Sequence, residues 1–115
     1  MSPRVDLDTY RRLQDSAGAD FVKELIDTFL EESKGTFSDL HRALAAGDAE
    51  LFRRAAHSLK SSANTFGALQ LGLVARELEA VGRSNDLAGV GDKLRLAEEE
   101  YAAATAELIR LRDGL

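Results

Sequence analysis

Cysteine and tryptophan are absent from this chain of 115 residues, and proline occurs once, at position 3. Without cysteine neither a disulfide framework nor a thiolate zinc site can form, and a reducing compartment is compatible with every residue present. No apolar run approaches the roughly 18 residues needed to span a bilayer, and the opening MSPRVDLDTY lacks the apolar stretch of a signal peptide. A cytoplasmic protein with no membrane partner is expected. An excess of basic charge is missing too: 20 acidic side chains against 15 basic ones leave a formal net charge of -5. That balance disfavours nucleic-acid binding, which depends on neutralising phosphates with Lys and Arg. Aromatics make up only 6%, β-branched residues are few, and Ala, Leu, Glu and Arg dominate, so helix propensity is favoured almost throughout. The expectation is one all-α domain over residues 1–115.

Glycines and capping residues divide the chain into segments of helical length. A first short helix is predicted from near Asp6 to before Gly18, with Val5, Leu7, Tyr10 and Leu13 as its apolar side, acting as a lid. A second follows Asp20 as N-cap and runs to Gly47, with Gly35 as its weak point. A third starts at Asp48 as N-cap and continues to about Thr65, where Gly67 can take the left-handed conformation that ends a helix. The fourth spans roughly Ala68 to Val81 and stops at Gly82, and RSNDLAG forms a polar loop. In the fifth, Val90, Leu94, Ala97, Tyr101, Ala104, Leu108 and Leu111 recur at spacings of four and three, the pattern of one packed face. Short loops between long amphipathic helices imply antiparallel neighbours. The predicted architecture is an up-down antiparallel four-helix bundle with a short additional N-terminal helix.

The third helix carries the informative pattern. At about 100° per residue from Phe52, the residues Ala55, Ala56, Leu59, Ala63 and Phe66 form the core stripe, and His57 lies at about 140° on the solvent side. Arg53, Lys60, Ser61 and Asn64 share its side, with Glu50 close by. Leu51 and Phe52 are read as core, Arg53, Arg54 and Arg76 as solvated helix charges, and Glu98 to Glu100 as an exposed face. His41, beside Asp39 and Arg42, is read as structural or surface. An exposed, partly neutral imidazole with a cation one turn away suits attachment of a phosphoryl group to a ring nitrogen. Small side chains at Ser58, Ser61 and Ser62 leave room for another protein to approach. No carboxylate, histidine or cysteine stands at i±3 or i±4 from His57, so no nucleophile–base pair is visible locally. No Glu-x-x-His occurs, which excludes the di-iron reading of a four-helix bundle.

His57-Ser58-Leu59-Lys60-Ser61-Ser62, with Gly67 ten residues after the histidine, resembles the signature of histidine-containing phosphotransfer (HPt) domains of bacterial phosphorelays. The similarity extends over nearly the whole chain: the turn and Asp-Phe at 18–21, Phe29-Leu30-Glu31, Leu44 to Gly47 with Asp48, and Leu78-Glu79. The resemblance implies that His57 accepts a phosphoryl group from a receiver-domain aspartyl phosphate and donates it to another receiver aspartate. Lys60 would assist electrostatically, and Gly67 would terminate the helix. The implied partners are response-regulator receiver domains and a sensor or hybrid histidine kinase, with Arg53, Ser58, Ser61 and Asn64 as candidate partner contacts. The chain would be a monomeric phosphocarrier without kinase activity of its own, needing no cofactor, since magnesium belongs to the receiver's acidic site. One departure stands out: the family most often has glycine four residues after the histidine, and here that residue is Ser61. Two other readings remain, a bundle that binds a kinase or receiver without relaying, and a phosphatase in which Asn64 positions water.

Overall fold

A computed structural model describes residues 4–115, so Met1, Ser2 and Pro3 lie outside the described residues. The described residues form five helices: α1 Leu7–Ala17, α2 Ala19–Ala46, α3 Ala49–Thr65, α4 Leu69–Arg83 and α5 Gly91–Asp113. Helices α2 to α5 make the four-helix bundle. α3 and α4 share the most extensive interface, α2 packs on α3 and α5, α4 packs on α5, and α1 lies across α2 and α3. No described helix is long and apolar enough to cross a membrane.

Each boundary has a local cause. Asp6 caps α1 by accepting the Thr9 N–H at 3.1 Å, and Asp48 caps α3 by accepting the Leu51 N–H at 3.0 Å. Such a cap contributes about 1 kcal/mol. Between α1 and α2 the chain turns on Gly18 alone, at φ 88°. α2 therefore begins earlier than the sequence suggests. Asp20 is not its N-cap but sits in its first turn, where a carboxylate still favours the positive end of the helix dipole. Gly35 lies inside α2, and a Cβ there would meet no heavy atom within 4 Å.

The core is a single cluster drawn from all five helices. Phe52, Leu59 and Phe66 of the third segment are buried as expected, while Leu51 is half-buried. Val90 at the N-cap of α5 and Leu94, Ala97, Ala104 and Leu108 within it are buried, and Tyr101 bonds Ser33 and packs against Phe29 and Phe37. Fully burying a side chain such as Leu59 contributes about 1.5–3 kcal/mol. Tyr10 of α1 and Val5, which precedes the helix, are buried, but Leu7 is exposed. Glu98 and Glu99 are exposed as expected, whereas Glu100 is half-buried and faces Arg4. His41 is exposed and pairs with Glu98.

Candidate functional site

α3 and α4 are joined by the turn at Phe66 to Ala68. Gly67 takes φ 82° there, and its carbonyl accepts the Asp6 N–H at 2.7 Å. The two helices then run antiparallel, so residues equally far from Ala68 face each other. Along α4, Gly72, Ala75, Glu79 and Gly82 recur at helical spacing, and all four are buried. Against them lies the polar strip of α3. A Cβ on Gly72 would collide with the Asn64 amide, and one on Gly82 would stand 2.8 Å from the Arg53 Cα. Gly82 is the penultimate residue of α4, one short of its end, and its missing side chain also lets the two backbones approach.

Between these two close approaches, His57 meets Glu79. The His57 side chain is 57% exposed and the Glu79 side chain 4%. His57 Nδ1 lies 2.7 Å from Glu79 Oε2, and Lys60 Nζ lies 2.6 Å from Oε1. Arg83, one turn along α4, donates to Oε2 at 3.3 Å. Donation from Lys60 above all, then from His57, holds the Glu79 carboxyl below the usual glutamate range against the opposing cost of burial. An ionised carboxylate only accepts hydrogen bonds, so Nδ1 carries the proton. The other nitrogen of a neutral imidazole, Nε2, then has a free lone pair and faces away from the Glu79 bond. The imidazole is oriented from beneath and open above.

Of the site residues expected from sequence, the structure brings only His57 and Lys60 together. Arg53 is turned aside, its guanidinium held by Glu50 at 2.6 and 3.1 Å. Asn64 is exposed at its outer edge and lies over Gly72. Ser58 faces α2, lining a shallow recess with Glu32, Ser33, Thr36 and Ser62. Ser61 is exposed, and its carbonyl accepts from Thr65 Oγ1. Glu79 and Arg83 were missed as site residues. No carboxylate flanks His57 on α3 because the partner comes from α4. The available signal was an acid within a stripe of small residues on a buried helix face, a place where a charge requires a partner.

Comparison with known proteins agrees with this fold. The family model "Hpt domain" matches residues 24–113. The crystal structure of histidine-containing phosphotransfer protein B (HptB) from Pseudomonas aeruginosa PAO1 superposes with a TM-score of 0.91. It is 30% identical, with 100% of this chain and 99% of that chain covered. A search of curated protein sequences finds no match. With the family model and the solved relative both spanning most of the bundle, the chain belongs to the Hpt domain family, the phosphocarrier intermediates of two-component signalling.

Proposed function

We propose that His57 carries the phosphoryl group, taking it from a receiver-domain aspartyl phosphate and giving it to the aspartate of a second receiver. The observation that carries this reading is the exposed imidazole whose Nδ1–H is bound to a buried carboxylate, which leaves Nε2 as the nucleophile. The Nε2 lone pair attacks phosphorus, the P–O bond to the aspartyl carboxylate breaks, and that electron pair leaves on the receiver's carboxylate. Transfer onward reverses these events on the second receiver. The Nδ1 proton stays on the ring throughout, and Glu79 stabilises the positive charge that develops there as Nε2 bonds to phosphorus.

Lys60 offsets the Glu79 charge and so keeps a carboxylate tolerable beside the incoming phosphoryl anion. The domain itself needs no cofactor. Magnesium and most of the transition-state stabilisation come from the receiver. Ser58, Ser61 and the outer edges of Arg53 and Asn64 surround His57 as the surface a receiver meets. A sensor or hybrid histidine kinase supplies phosphate upstream, and the chain acts as a monomer without kinase activity of its own. Incubation with a phosphorylated receiver should place acid-labile, base-stable phosphate on the wild-type protein and none on His57→Ala. Label persisting in that variant, or no label from any cognate receiver, overturns the reading.

A further inference from the structure

Resting on the assignment of the phosphoryl group to Nε2, we infer that Arg83, rather than Lys60, is the cation that binds the phosphoryl oxygens. Lys60 is the more tightly bonded and more buried of the two. Its Nζ sits 2.6 Å from Glu79 Oε1 with the side chain only 28% exposed. Moving it to the phosphoryl group strips a buried carboxylate of its strongest donor, which is costly. Arg83 is held by a single bond of 3.3 Å, long for a charge-assisted pair, and its side chain is 67% exposed. Its release leaves Glu79 still bonded to Lys60 and His57.

Position and shape favour Arg83 as well. It shares Oε2 with His57 Nδ1, so its guanidinium already stands beside the imidazole. Arg53 is held on Glu50 by two bonds, and Arg54 faces the same carboxylate at 3.9 Å. Arg76 is exposed on α4 and makes no contact with the His57–Glu79 pair among the described residues. The planar guanidinium can donate two parallel hydrogen bonds to two phosphoryl oxygens, which an ammonium cannot match. No covalent bond to Arg83 forms or breaks. Its hydrogen bonds move from carboxylate to phosphoryl oxygens when phosphate arrives and return when it leaves.

The test phosphorylates the full chain chemically with potassium phosphoramidate and follows the phosphohistidine by phosphorus NMR across pH. A neighbouring guanidinium favours the dianion, so Arg83→Ala should raise the midpoint of the phosphoryl titration by about half a unit or more. Arg83→Lys should restore part of that shift, and Arg76→Ala should leave it unchanged. Nitrogen NMR of unphosphorylated His57 should be the same in Arg83→Ala as in wild type, which separates phosphoryl binding from an effect passed through Glu79. An unshifted titration in Arg83→Ala overturns the inference, as does a shift found instead in Lys60→Ala or Arg76→Ala. Failure of the wild-type protein to take label on His57 removes the proposed function itself and this inference with it.

Discussion

Two glycine-to-alanine substitutions in this bundle should have opposite signs, and the difference tests whether the α3–α4 approach sets the site. At Gly82 the added Cβ would lie 2.8 Å from the Arg53 Cα, about 0.7 Å inside the closest ordinary carbon–carbon contact. Both atoms are carried by helix backbone, so α4 must retreat. Transmitted one turn to Glu79, the same displacement stretches the 2.7 Å bond to His57 to roughly 3.4 Å, beyond the range of a sound hydrogen bond. Overpacking costs about 1–3 kcal/mol and the better helix propensity of alanine returns about 1 kcal/mol. The net is a loss of about 0–2 kcal/mol, or up to roughly 8 °C in Tm. At Gly35 nothing lies within 4 Å of the added Cβ, so only the propensity gain of about 1 kcal/mol remains. Thermal unfolding followed by circular dichroism measures both, and nitrogen NMR of the His57 ring reads the proton on Nδ1. If Gly82→Ala stabilises the protein as much as Gly35→Ala and leaves the His57 signals in place, the close approach does not govern the site.

Glu79→Gln should lower stability at neutral pH by about 1–3 kcal/mol and slow phosphoryl uptake by about an order of magnitude, because one amide oxygen cannot serve both Lys60 and His57. Wild-type stability should show the matching pH signature. The Glu79 carboxyl is depressed from its usual 4.5, so its contribution is present above that value and is lost as pH falls through the folded-state value. Urea titrations at a series of acidic pH values should find that loss in the wild type and a flatter profile in Glu79→Gln. Gly67→Ala forces an L-residue into φ 82° and should cost at least about 1–2 kcal/mol; an unchanged urea midpoint contradicts this. Ser61→Gly, at an exposed position within α3, should cost about 0.5 kcal/mol and change the rate of transfer or the choice among receivers without abolishing transfer; an unchanged rate with several receivers would show the serine to be neutral.

The bundle was legible because its signals are local. Asp48 as a cap, Gly67 as a terminator and the apolar face of α5 each act within one turn or one helix, and each stands where the sequence places it. His57 and Lys60 were legible for the same reason, as neighbours on one helix face. Glu79 and Arg83 were not, because their role depends on the register between two helices. Gly82 shows the difficulty most clearly. A glycine near the end of an amphipathic segment reads as a stop, and only the backbone of Arg53 beside it reveals a crossing point. Asp20 misled in a smaller way, since Gly18 turns the chain within one residue and leaves no room for a separate cap.

Every side chain assigned to the chemistry, from His57 to Arg83, comes from one helical hairpin, while α2 and α5 supply its support. The outer faces of those two helices can therefore diverge without displacing a reacting atom. A new receiver could be accommodated by resurfacing α2 around Glu32 and Thr36, beside Ser58, while the imidazole and its carboxylate stay in register. Partner choice and phosphoryl chemistry are in this sense separately mutable.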